Sequence, residues 1–252
     1  MLERAQSAAR LLSQGADRAR DTLLLLVATE LTRWRICPEK WRRIPTPVAN
    51  RVLSDARLIF VRTETIRYAW RWIGKTLGSR YFVLDGDWDE ERDPLEPHKT
   101  IEELFVRGIP YRATEQYAYM MKNMRAGWYG GSYWCKTPEE IDAYFERLVK
   151  AYADIHDHGY KTQKELGLPG EDEILVVINR EGDLMLGPGG THRLDIARRL
   201  GIDVLPVLVY GVHYLWVRDR LREHGGDILG AIRQSLRRLD CRAGMKPHSP
   251  MP

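Results

Sequence analysis

The spacing of apolar residues changes several times along the chain, and each change marks an expected element. Over residues 1–36, leucines and alanines recur at helical spacing without a proline, which predicts a helical N-terminal segment. Pro38, Pro45 and Pro47 in "CPEKWRRIPTPV" then remove backbone donors and fix φ, so a linker or domain edge is expected there. "RLIFVRTETIRYAW" alternates as strands do, and "YFVLDGDWDEERDP" reads as a strand, Tyr81 to Leu84, running into an acidic loop. "TIEELFVRG" predicts a helix with Thr100 as its cap, Glu103 at the capping-box position and Gly108 as its stop. A longer helix follows from Pro138 to about His156, with Gly159 beyond its end.

The last third is the most regular. "EILVVI" is a β-rich apolar run, "NREGD" a turn, "LML" a second short strand, "THRLDIARRL" a helix closed by Gly201, and "VLPVLVY" a strand. Between the second strand and the helix stand Gly187, Pro188, Gly189 and Gly190. Arg198 and Arg199 suit the negative end of that helix, so its positive N-terminus faces the glycines. Free N–H groups there, with no side chain at Gly189 or Gly190, make an expected anion site. No internal repeat occurs, and the tail "KPHSPMP" is expected to be disordered.

Composition narrows the partners. At 252 residues and 44% hydrophobic, the chain suffices for one sizeable domain with an appendage, or for two small ones. With 39 Lys+Arg against 35 Asp+Glu, the net charge of +4 welcomes anionic ligands but falls short of a dedicated nucleic-acid footprint, which disfavours DNA as a partner. Three scattered cysteines without a CxxC pair suggest neither a disulfide framework nor a zinc knuckle, so a cytoplasmic location is the expectation. The run "LLLLVA" is far shorter than the roughly 20 apolar residues of a spanning helix. "RWRICPEKWRR" leaves open a peripheral membrane contact through the N-terminal helix.

Two phosphate motifs compete. "AWRWIGKT", Ala69 to Thr76, fits a relaxed P-loop, but Trp70, Arg71, Trp72 and Ile73 are too bulky for a backbone wrap, and Lys75 and Thr76 read as a surface turn. The glycine loop is stronger, because His192 and Arg193 follow it and can add charge-assisted bonds to phosphate oxygens. "GPGGTHRLDIARRLGIDVLPVLV" resembles the ParB/sulfiredoxin superfamily over about Glu173 to Tyr210, with "GGTHR" in the place of the superfamily's loop. The resemblance implies a mixed α+β sheet with helices, and implies Gly189, Gly190, Thr191, His192 and Arg193 as contacts to the phosphates of ATP, ADP or CTP. Where sulfiredoxin carries a catalytic cysteine, Thr191 stands, which speaks against sulfur repair. Only about 40 residues follow Val212, fewer than the DNA-binding and dimerisation parts of a chromosome-partitioning protein, so the small-molecule kinase branch is the nearer one.

A kinase needs a cation ligand and a base as well as a phosphate cradle. Asp87 and Asp89 in "DGDWDEERD" project to one side of an extended segment, and are expected to hold Mg²⁺ or act as base in the cavity that contains Gly190. Tyr160 and Gln163, just before the nucleotide module, and His213, just after it, are candidate substrate contacts, with Lys161 and Trp216 beside them. His156 and His158 lack a third ligand for zinc.

The resulting expectation is an α+β protein in three parts: a helical N-terminal segment and linker over 1–79, a ParB/sulfiredoxin-like nucleotide domain over 80–245, and a disordered tail over 246–252. Its expected activity is ATP-dependent phosphoryl transfer, with Mg²⁺, to a small hydroxyl-bearing metabolite or sugar. The alternatives are a non-catalytic nucleotide-binding switch or a ParB-like regulator associated with DNA.

Overall fold

The computed structural model describes residues 44–70, 81–128, 135–225 and 227–244. The expected N-terminal helix with its membrane contact, Lys75 and Thr76, and the tail over 246–252 lie outside the described residues.

The proline-rich stretch starts a helix instead of a linker. Pro45 is the N-cap of α1 (Thr46–Leu53) and Pro47 sits in its first turn, where a missing N–H forfeits no helical bond. Strands β1 (Leu58–Arg62) and β2 (Ile66–Ala69) follow, joined by a tight turn over Thr63–Thr65. After them come two-residue strands β3 (Val83–Leu84) and β4 (Asp93–Pro94). Helix α2 (Lys99–Ile101) continues as a π-helical turn over Glu102–Val106. Its N-cap is His98, not Thr100. Thr100 and Glu103 instead reach α3 (Glu115–Arg125): the Thr100 hydroxyl donates to Gln116, and the Glu103 carboxylate accepts from the Glu115 amide at 3.2 Å.

Helix α4 (Pro138–His158) has the expected boundaries, extended by two residues. Thr137 accepts from the Glu140 amide, Pro138 opens the first turn, and Gly159 ends the helix at φ +75°. Its apolar stripe works in two halves. Ile141 and Phe145 pack on Met120 of α3, while Leu148 and Ile155 pack with Ile101 of α2 and Ile196 of the helix described next.

The C-terminal module runs through β5 (Ile174–Ile178), β6 (Leu184–Leu186), α5 (Thr191–Arg199), β7 (Val204–His213), α6 (Tyr214–His224) and α7 (Ile228–Leu239). The sheet has the order β1-β7-β5-β6-β2-β4 and is mixed. β5 is parallel to β7 and antiparallel to β6, while β2 is parallel to β6. β3 lies beside the far end of β7, pairing Val83 with Val212 and Leu84 with His213. β7 is an interior strand, paired with β1 and β3 as well as β5, and is buried almost throughout, which explains its unbroken apolar run.

The α+β class is as the sequence suggested, but the division at residues 79 and 80 does not follow the packing. β1 pairs with β7, β2 pairs with β6, and Val48, Ala49 and Leu53 of α1 join the main core. Residues 44–70 therefore complete the same sheet that the later strands begin. Among the described residues, no helix is long and apolar enough to cross a membrane.

Candidate functional site

The start of α5 is held close to β5 by its glycines. Gly190 is the N-cap at φ +93°, and a Cβ built on it would lie 2.6 Å from the Ile174 Cα. Gly187 is similarly tight, 3.0 Å from the Leu175 carbonyl oxygen. Two of the three glycines are thus bare because β5 backbone passes beside them. At Gly189 a Cβ would meet only the Leu175 side chain, at an ordinary 3.4 Å.

No side chain caps α5, and its first intrahelical bond runs from the Leu194 amide to the Gly190 carbonyl at 2.9 Å. The amides of Thr191, His192 and Arg193 precede that ladder and form the positive end of the helix. They border a cleft of about 230 Å³, lined also by Tyr144, Arg147 and Leu148 of α4. The sequence reading missed these α4 residues, although Tyr144 and Leu148 stand four apart on one helical face.

His192 leans into the protein. Its Nδ1 lies 3.4 Å from the Tyr144 hydroxyl, its ring meets His98 edge-on at 4.1 Å between centroids, and its buried Nε2 has no partner. Burial, and secondarily the neighbouring His98, push its pKa down to about 3, so the ring is neutral near pH 7. Burial lowers His98 too, partly offset by Asp195.

A pH dependence follows. An unfolded histidine titrates near 6.5, and a depressed folded value means that the unfolded chain binds the extra proton. The stabilisation is full above pH 6.5 and is lost as pH falls toward 3. At pH 5 the loss from His192 amounts to about 2 kcal/mol. Urea titrations at pH 7 and pH 5 should show it, and His192→Gln should flatten most of the difference, leaving the part due to His98.

Arg193 turns back over the chain, donating through Nη2 to the Asp172 carbonyl, while its buried Nη1 has no partner. The Tyr160 hydroxyl sits beside it without a well-formed hydrogen bond; burial, against the opposing charge of Arg193 and with a smaller push from Glu173, leaves its pKa pushed up to about 12. Gln163 is buried, and its amide donates to Glu173 at 2.6 Å. Burial raises the Glu173 carboxyl against the opposing pull of that amide and of Arg193. Tyr160 therefore backs Arg193 from inside and is not among the residues lining the cleft. At the end of α4, His156 Nδ1 lies 2.7 Å from the Asp157 carboxylate and His158 Nδ1 2.9 Å from that of Asp154, while Lys161, just beyond the helix, pairs with Asp154 at 3.6 Å.

The shared cavity expected for Asp87, Asp89 and Gly190 does not form. Gly190 lies against Ile174, where β5 begins, whereas the acidic loop meets Arg180, just past the end of β5. The length of β5, Ile174–Ile178, separates these points, roughly 13 Å from its first Cα to its last. Asp89 is fully buried and accepts from the Arg180 amide (2.7 Å), Nε (2.9 Å) and Nη2 (2.7 Å). Burial alone would raise its pKa, but the hydrogen bonds and charge of Arg180 outweigh that and hold it below the ordinary range. Asp87 reaches the same guanidinium at 2.9 Å.

His213 belongs to this end as well. Its Nδ1 accepts from the Leu215 amide at 3.0 Å, capping α6, which leaves Nε2–H to donate to the Gly86 carbonyl at 2.7 Å. Both ring nitrogens are spent on the fold, and the residue is 1% exposed. Trp216 is likewise buried, in the main core. Arg180 carried no sequence signal beyond its place in a turn. Among the described residues, no group of three or more His, Cys, Asp or Glu side chains is arranged to hold a metal ion.

No protein family, curated protein or solved structure gives a match to this chain.

Proposed function

We propose that this protein binds the phosphate groups of a nucleotide at the N-terminus of α5. The observation that carries this reading is the uncapped helix start opening on a cleft whose other wall supplies Arg147. The cleft accommodates phosphates, not a whole nucleotide, so sugar and base would lie along the outer faces of α4 and α5. The resemblance of "GPGGTHRLDIARRLGIDVLPVLV" to the ParB/sulfiredoxin superfamily supports the same ligand, ATP, ADP or CTP.

Turnover at Asp87 and Asp89 is the weaker part of the original expectation, because both carboxylates already engage Arg180 at the other end of β5. A nucleotide-binding protein whose output is occupancy needs neither of them. A phosphotransferase in this cleft would need its base there, and His192, whose pKa burial pushes down to about 3, is too weak a base near pH 7 to fill that role. Calorimetric titration with ADP, ATP, CTP and pyrophosphate tests the binding. Arg147→Ala, an exposed change, should weaken any of these by about tenfold or more without altering the unfolding midpoint. Equal affinity in the variant would remove α4 from the site.

A further inference from the structure

A second cavity, of about 430 Å³, is bordered by the end of β1, the Thr63–Thr65 turn, β2, the β5–β6 turn and the end of α7. That volume lies in the range that encloses a small organic ligand. Val61, Leu184 and Leu239 give it an apolar wall. Arg62 and Arg67 stand on the polar side, and among the described residues neither is in an ion pair; the Arg67 Nε reaches only the Glu64 carbonyl, at 3.4 Å. The acidic residue on the lining, Asp183, is already engaged by Arg92 at 3.3 Å.

The segment that carries the two arginines is anchored from several sides. The Thr63 amide donates to Asp203 at 2.8 Å and its hydroxyl to Ile202 at 2.5 Å. The Thr65 hydroxyl closes back on the Arg62 carbonyl at 2.6 Å, and Arg198 of α5 donates to the Ile66 carbonyl. Two guanidinium groups outside any ion pair among the described residues, one at the end of β1 and one in β2, therefore flank a pinned turn beside an apolar wall. An anion between them gains attraction from both charges and forked hydrogen bonds.

We propose that this cavity binds a small organic anion, its oxyanion head at Arg62 and Arg67 and its apolar body against Val61, Leu184 and Leu239. The head is a carboxylate or a phosphate monoester, both of which match the guanidinium fork. The site is separate from the α5 cleft and stands independently of the nucleotide reading.

Titration of the full chain with hexanoate, hexyl phosphate and hexan-1-ol, followed by calorimetry or NMR, tests it. At least one of the two anions should bind, the tighter one identifying the head group, and the neutral alcohol should bind at least about tenfold more weakly. Arg62→Gln and Arg67→Gln, both at exposed positions, should each weaken the anion by a similar factor, and Leu239→Trp should block it while leaving both charges in place. Failure of both anions to bind at millimolar concentration would overturn the proposal, as would hexan-1-ol binding as well as they do, or affinity unchanged in both arginine variants.

Discussion

Replacing Asp89 by alanine is expected to destabilise the protein by about 3 kcal/mol, read as a lower midpoint in urea with an unchanged slope. The carboxylate is fully buried and receives the backbone amide and two guanidinium nitrogens of Arg180, a residue 91 positions away in sequence. Removing it orphans that amide and leaves a cation without its main partner. Arg180 keeps a side chain 21% exposed, and Asp87 remains within 2.9 Å, so the loss sits at the lower end of the range for a broken buried pair. The sign with pH is also fixed. A carboxyl held below its unfolded value stabilises above about pH 4, and this contribution is lost as pH falls through the folded pKa. If Asp89→Ala instead left stability unchanged and abolished a phosphoryl-transfer activity, Asp89 would be catalytic and its bonds to Arg180 incidental.

The second large effect is expected at Gly190. Gly190→Ala should cost about 3 kcal/mol or more, because the left-handed φ of +93° disfavours any side chain and the new carbon would stand 2.6 Å from the Ile174 backbone. Loss of ligand binding in that variant would report a damaged fold, not a blocked phosphate. Gly189→Ala separates the two, since its Cβ meets only a side chain at 3.4 Å. That variant should fold with nearly full stability, and differential scanning calorimetry of the pair should show the contrast. Equal stability of the two would mean that the close approach of β5 to Gly190 is wrong.

The C-terminal module could be read directly because its apolar period switches cleanly, from the run at Ile174–Ile178 to Leu184–Leu186, then to the helix at Thr191 and the long apolar strand at Val204. Helix α3 was not anticipated, and its physical reason is plain: Met120 alone among its residues is buried, so little periodic pattern marks it. α7 buries Ile228, Leu229, Ile232 and Leu236 at helical spacing, a period that the sequence carries openly. The glycine loop was located correctly, but the reason for its glycines was not visible. Bareness toward a ligand and bareness toward β5 look the same in a sequence, and only packing separates them. The acidic loop is ambiguous for a related reason. A pair of aspartates after a strand suits a metal, a base or a buried arginine equally well, and Arg180, which both carboxylates engage, lies 91 residues downstream of Asp89.

The phosphate site itself is tested most directly by Thr191→Asp. Thr191 is the first residue of α5, where a carboxylate interacts favourably with the helix dipole, worth about 0.3–1 kcal/mol, and would occupy the position proposed for a phosphate. Stability and affinity should therefore move in opposite directions: the unfolding midpoint holds or rises, while titration with ADP, ATP, CTP or pyrophosphate shows binding in the wild type and none in the variant. Undiminished nucleotide binding by a folded Thr191→Asp protein, or no binding of any of these ligands by the wild type at millimolar concentration, would contradict the assignment of α5 as the phosphate site.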